Sequence, residues 1–280
     1  LTLLVTNYKA TQRVFMDTTT QTKWLVGFWL ASFCSIPMSF WPGLSVERAI
    51  DVLKILMFYF MIVHIVNTRE RLRTLVWVYI LCIIYLACSS LKAYYSGQLL
   101  YAQGIERVIG VNSTLGDPNT LGTTMAVTFA LVALMWPGDN RLWARLVSIF
   151  GALTCVWSLS LTGSRASTLG FVTALIALWW RTKHRFLVLL AGVTIFIGVF
   201  AILPSQYKQR YETIGSGELD DSSLGRIDAW KAGARMISDR PLFGVGLGCF
   251  GVAHAKAYSR EGNWLQPHSL YVQVPSEIGL

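Results

Sequence analysis

The chain has 280 residues, of which 54% are apolar and only 14% charged, against about a quarter charged in an ordinary soluble domain. That composition excludes a soluble globular protein, and five cysteines without a C-x-x-C spacing exclude a disulfide-stapled miniprotein or a zinc ribbon. The net charge of +9 has to be read by position before any partner is invoked.

The predicted elements are seven apolar blocks at 24–41, 49–67, 75–91, 119–136, 146–161, 166–180 and 186–203, each near the roughly 20 residues a helix needs to cross a bilayer. They are apolar on every face, without the alternation of a barrel strand, and helices close their own backbone hydrogen bonds as lipid requires. The expected fold is all-α: a polytopic transmembrane helical bundle over 1–203 with about seven full spans. Cys34, Cys82, Cys88 and Cys155 fall inside the blocks, which leaves Cys249 as the one cysteine expected to meet water.

Lys and Arg in alternate connections set the orientation. Lys9, Arg13 and Lys23, then Arg69, Arg71 and Arg73, then Arg141 and Arg145, then Arg181, Lys183 and Arg185 belong on the cytoplasmic side. Only Asp17, Glu70 and Asp139 oppose them, so these loops supply nearly all of the net charge. The basic balance is a topology signal and calls for no nucleic-acid partner.

Alternation puts the other connections on the outer face: a short turn around Pro42 and Gly43, the stretch 92–118, the tight turn Gly163-Ser164-Arg165, and a large loop over 204–268. This loop is the one soluble-looking domain. Its eight basic and seven acidic residues predict a structured surface rather than a polybasic tail, and a loop of that length usually has a function. Within it, Ser222-Ser223 precedes Leu224, Ile227, Trp230, Ala234 and Ile237 at helical spacing, with Asp239-Arg240-Pro241 as the stop. An amphipathic helix lying on the membrane surface is expected there, with Arg226 and Trp230 as neighbours near its start. Residues 269–280 read as the start of a truncated transmembrane helix, and the chain from Leu1 to Leu280 reads as a fragment of a longer protein.

Few residues are placed to carry chemistry. Arg165 lies between two apolar blocks at the outer boundary, against the charge bias of every other short turn. It is either a snorkelling arginine on lipid phosphate or a bidentate ligand for a diphosphate. His268, in Gln266-Pro267-His268-Ser269 before the last apolar stretch, suits a general base at the membrane surface; the alternative is an interfacial histidine with a satisfied hydrogen bond. His64 and His184 at cytoplasmic helix ends and His254 in the loop are read as structural. Gly246 to Gly251 match G-x-G-x-x-G by letter, but no strand or βαβ unit is predicted around them. Asp220-Asp221 is not a D-x-D pair, and no His/Cys/Asp/Glu grouping has metal-ligand spacing. Asp117-Pro118 before an apolar block is a helix cap with Pro at the first helical position.

Taken in order, these pieces resemble the O-antigen ligase and polymerase superfamily of bacterial envelope enzymes, from about residue 24 to the end. The marks are D-P-N at Asp117-Pro118-Asn119, S-R-x at Ser164-Arg165-Ala166, and G-R-x-x-x-W from Gly225-Arg226 to Trp230. They continue with P-L-F-G-V-G-x-G from Pro241 to Gly248, and with His268, Ser269, Tyr271, Glu277 and Gly279 as the closing motif. Ser269 stands where many members have Asn.

The resemblance implies transfer of a glycan from a polyprenyl-diphosphate carrier such as undecaprenyl diphosphate. The acceptor would be the lipid A core of lipopolysaccharide, a protein hydroxyl or a growing polysaccharide. It further implies that no metal or other cofactor takes part, with the site on the periplasmic face of a bacterial inner membrane. His268 would take the acceptor's proton, Arg165 and Arg226 would bind the carrier diphosphate, and attack opposite the diphosphate would invert the anomeric centre. Ligases onto lipid A core, protein O-glycosylation ligases and polymerases share these motifs.

Two rivals are weighed against this. A transporter of polysaccharide or lipid-linked glycan would place ionisable groups near the bilayer midplane; the charges read within a span are Asp51 and Lys54, near one end. An intramembrane serine protease would rest on Gly163-Ser164, without a G-x-S-x-G.

Overall fold

The computed structural model describes residues 20–102, 105–112, 115–136, 141–181, 201–212, 221–259 and 262–280, with single positions between 186 and 199. Expectations for Lys9, Arg13, Asp17, Asp139, Lys183, His184, Arg185 and Asp220, and for most of the span 186–203, lie outside the described residues. The fold is all-α in the main, and its residues fall into two units, one within Leu1–Arg69 and Leu219–Leu280, the other within Glu70–Glu218.

In the first unit, α1 (Thr20–Cys34) is followed by a 3-10 turn (Ile36–Met38) and α2 (Pro42–Ile65). The sequence extends the first span to residue 41, but the α-helix ends at Cys34 because Pro37 cannot donate to the carbonyl four residues back. Pro42 and Gly43, expected in a turn, instead open α2 with Pro42 at its first position, where a missing N–H costs nothing. The helix therefore begins seven residues before position 49 and takes in Glu47 and Arg48 as well as Asp51 and Lys54. Arg48 Nη1 and Lys54 Nζ lie 3.4 and 2.9 Å from the Asp51 carboxylate.

The same unit contains α8 (Asp221–Asp239), α9 (Phe250–Ala253), a π turn over His254–Tyr258 and α10 (Leu270–Ile278). α8 forms where the sequence predicts it, but a different stripe is turned inward. Ala229, Ala232 and Met236 are fully buried, while Leu224 and Trp230 are 50% and 45% exposed. Small residues win the inner face because α10 comes so close: a Cβ on Gly233 would sit 2.3 Å from Val272, and Ser276 Oγ donates to the Gly233 carbonyl at 3.2 Å.

Between α8 and α9, the glycine-rich loop is laced to the end of the chain. Val245 N donates to Ser276 O, Gly246 N to Glu277 O and Leu280 N to Pro241 O, at 2.8–2.9 Å. Cys249, expected to meet water, is fully buried, since the loop folds onto the start of α2 and puts its thiol 3.3 and 3.4 Å from the hydroxyls of Ser39 and Ser45.

The second unit holds α3 (Arg69–Tyr95), a two-stranded antiparallel hairpin of β1 (Leu100–Ala102) and β2 (Ile105–Arg107), α4 (Pro118–Met135), α5 (Leu142–Thr162), α6 (Arg165–Arg181) and α7 (Ser205–Glu212). The hairpin was not anticipated. Leu121, Met125, Phe129, Cys155 and Leu159 form the centre of its core. Among the described residues, α3, α4 and α5 are long and apolar enough to cross a membrane, and α6 is apolar but shorter. Leu146, Phe150 and Leu153 stay more than half exposed on α5, as a helix facing hydrocarbon requires. The chain is a multi-pass membrane protein.

Candidate active site

The residues singled out in the sequence fall in both units: Arg165 in the second, Arg226 and His268 in the first.

Arg165 is the first residue of α6. Gly163 ends α5 in the left-handed region (φ 58°), which a glycine adopts without steric cost. Ser164 caps the new helix: its Oγ accepts from Ser167 N at 3.3 Å, the N-cap pattern that satisfies an otherwise orphaned amide. Ser164 is 1% exposed, so its hydroxyl is a cap and is poorly placed as a nucleophile, which removes the basis of the protease rival.

The D-P-N motif meets this turn. The Asp117 carboxylate accepts from Thr120 N at 2.8 Å, the expected cap, and Pro118 opens α4. The Ser167 hydroxyl lies 3.1 Å from the Asn119 carbonyl and 2.9 Å from Ser164 Oγ. Arg107, which sequence reasoning passed over, binds both ends. Only 4% exposed, it donates from Nε to Thr162 O at 2.6 Å and from Nη2 to Asn119 Oδ1 at 3.2 Å. Its signal was an arginine on the stretch 92–118, which the charge pattern assigns to the outer face and where the same bias disfavours one.

In the first unit His268 is exposed and has φ 48°, the one positive φ outside glycine among the described residues. Such a backbone is costly for a non-glycine residue and persists only where its surroundings impose it. The constraint is visible next door: Trp230 Nε1 donates to the Pro267 carbonyl at 2.7 Å. Arg226, one turn before Trp230 on α8, has its Nε buried without a hydrogen-bond partner, as does Gln266 Oε1. Helix α8 therefore connects Arg226 to His268 through one helical turn and one hydrogen bond. Arg165 belongs to the other unit.

A second histidine stands behind α8. His254, read as structural, is fully buried. Its Nδ1 donates to Asn263 O at 2.6 Å, since a carbonyl only accepts, and its Nε2 faces Asp228 Oδ2 at 3.3 Å. Asp228 lies between Arg226 and Trp230, so both ends of the loop 254–267 are held by one stretch of α8. Nearby, Tyr258 donates to Asp239 Oδ2 at 3.0 Å, and burial together with that carboxylate pushes its phenol above the ordinary range.

Glu277 closes the arrangement. Its carboxylate, 4% exposed, accepts from Gly248 N at 2.9 Å, Phe250 N at 3.4 Å and Gln273 Nε2 at 3.1 Å. The glutamate of the closing motif thus holds the glycine-rich loop.

No curated protein and no solved structure matches the chain. The family model described as O-antigen ligase matches residues 150–280, a segment that includes Arg165, Arg226, His268 and Glu277 and begins after the D-P-N motif. The resemblance to the O-antigen ligase superfamily is borne out over that segment, and it marks this multi-pass chain as similar there to a membrane glycan enzyme of the ligase or polymerase type.

Proposed function

We propose that this protein moves a glycan from a polyprenyl-diphosphate carrier to an acceptor hydroxyl at the outer, periplasmic surface of a bacterial inner membrane. In this reading 1–203 forms the membrane region with about seven spans, 204–268 the outer loop and 269–280 the start of a further span. His268 is the base. Its imidazole takes the proton from the acceptor hydroxyl, the oxygen attacks the anomeric carbon, and the carbon–oxygen bond to the carrier breaks with its electron pair leaving on the diphosphate. Arg165 and Arg226 bind that diphosphate and stabilise the charge it gains. Attack opposite the leaving group inverts the anomeric centre.

The observation that carries the reading is the hold on His268. The backbone of His268, at φ 48° and next to the carbonyl that Trp230 holds, supports an exposed imidazole on an anchored turn, the place from which a base acts. Arg226 adds an unmet buried N–H on the same helix, and guanidinium matches phosphate.

The test is consumption of polyprenyl-diphosphate-linked glycan and appearance of glycosylated acceptor in proteoliposomes, for wild type, His268→Ala and His268→Asn. Asn tolerates the left-handed region, so His268→Asn keeps the backbone and removes the base. Loss of turnover in both variants with donor binding intact is the expected result. Unchanged turnover removes His268 from the mechanism, and movement of lipid-linked glycan between leaflets without transfer puts a transporter in its place.

A further inference from the structure

Five residues from four stretches of the second unit close a ring of hydrogen bonds at the turn that bears Arg165. Arg107, the last residue of β2, donates from Nε to Thr162 O at 2.6 Å and from Nη2 to Asn119 Oδ1 at 3.2 Å. Thr162 Oγ1 accepts from Ser164 N at 3.3 Å, and Ser164 Oγ accepts from Ser167 N at 3.3 Å. The Ser167 hydroxyl donates to Asn119 O at 3.1 Å, which returns the ring to the residue that Arg107 holds. Arg107, Thr162, Ser164 and Ser167 are all buried, and a buried polar network whose members satisfy one another is rigid.

Arg107 makes the link in this ring that packing does not. Close approach already sets α4 against the turn, since a Cβ on Gly122 would lie 2.7 Å from Ser167 Oγ and 2.9 Å from Thr162 Oγ1. The helix ends are another matter. Thr162 is the last residue of α5, where carbonyls lack partners within the helix, and Asn119 is the second residue of α4. One planar guanidinium ties them together, and Val108 N, which donates to Leu161 O at 3.1 Å, holds the end of β2 against α5. Arg165 follows Ser164 and precedes Ser167 by two residues, so the ring fixes the backbone from which its side chain departs. Bidentate recognition of a phosphate depends on direction as well as distance.

We propose that Arg107 is a positioning residue for Arg165: by tying the end of α5 to the start of α4, it fixes the turn from which Arg165 reaches a diphosphate. This rests on the reading in which Arg165 binds the carrier diphosphate. Arg107 acts through Arg165 and not on the ligand directly.

The full chain is purified in detergent, and its affinity for undecaprenyl diphosphate is measured for wild type, Arg107→Met, Arg165→Ala and the double variant, with melting temperatures alongside. Arg107→Met keeps an apolar stem and removes the donors. It is expected to weaken binding about tenfold when Arg165 is present, the weight of one charge-assisted hydrogen bond. In the Arg165→Ala background the same change should cost less than about twofold, because residues that act through one another are not additive. Equal loss in both backgrounds would make Arg107 merely structural and overturns the proposal, as does wild-type affinity in Arg107→Met. Wild-type affinity in Arg165→Ala alone overturns the diphosphate reading of Arg165, a failure that the single variants separate from the first. Should Arg107→Met fail to fold, Asn119→Ala removes the Nη2 acceptor alone and enters the same cycle. Its expected loss is about threefold, confined to the background that retains Arg165, and loss in both backgrounds again overturns the proposal.

Discussion

The indole N–H of Trp230 and the carbonyl of Pro267 meet at 2.7 Å, and through that bond a helix and the turn bearing His268 become one object. Trp230 is 45% exposed, so its packing alone does not explain its place; its donor does. Trp230→Phe keeps the ring and removes the donor. It is expected to lower stability by about 1 kcal/mol and transfer by about tenfold, with donor binding unchanged because Arg226 remains. Turnover in proteoliposomes and a thermal melt check both. Full turnover in the variant would show that the His268 backbone is held by other means.

Glu277 makes a different kind of contribution. Its buried carboxylate accepts from two backbone amides and one side-chain amide, so Glu277→Ala strands the Gly248 and Phe250 amides of the glycine-rich loop. Each stranded buried donor costs about 1–3 kcal/mol, so for the two backbone amides the variant is expected to lose about 2–6 kcal/mol. Glu277→Gln keeps an acceptor and should lose less. Thermal unfolding of the two variants separates them, and equal losses would mean that carboxylate charge rather than hydrogen bonding matters at this position.

How much of this was legible depended on the distance over which each feature is decided. The Asp117 cap and the Gly163-Ser164-Arg165 turn are settled within four residues, and the sequence pattern predicts both. Helix α8 is visible from its spacing, but its inward face is not, because Ala229, Ala232 and Gly233 win that face by letting α10 approach closely. The burial of Cys249 has the same origin, since Ser39 and Ser45 lie about two hundred residues away in sequence. Arg107 escaped for a related reason: its partners Thr162 and Asn119 are brought to it by the tertiary fold, as Asn263 and Asp228 are to His254, which the sequence reading left as structural. Pro42, read as part of a turn, opens a helix instead, because proline suits a first helical position as well as a turn.

Arg165 and Ser164 can be separated by paired variants. Arg165→Lys keeps the charge but loses the planar fork. It is expected to reduce transfer at least about tenfold with little change in stability. Ser164→Ala removes the cap of α6 and should cost about 1 kcal/mol of stability while leaving the guanidinium present, so transfer falls less than in Arg165→Lys. Initial rates at saturating donor, together with melting temperatures, test the pair. Near-normal rates in Arg165→Lys would return the residue to the role of a lipid anchor, and abolished rates in a well-folded Ser164→Ala would restore the serine as a reacting group.

The burial of Cys249 predicts its chemistry. A thiol with no exposed surface, flanked by the hydroxyls of Ser39 and Ser45, is out of reach of a maleimide as long as the glycine-rich loop stays laced to residues 276–280. An impermeant maleimide applied to intact spheroplasts is therefore expected to leave Cys249 unlabelled, although the loop that carries it is read as facing outward. Denaturation should expose it, since thiols react as thiolates once accessible. Glu277→Ala, which frees the Gly248 and Phe250 amides, should raise labelling in the native state by loosening the same loop. Quantifying the modified Cys249 peptide in wild type, Glu277→Ala and denatured protein decides the matter, and rapid labelling of native wild type would mean that the loop opens far more often than its hydrogen bonds imply.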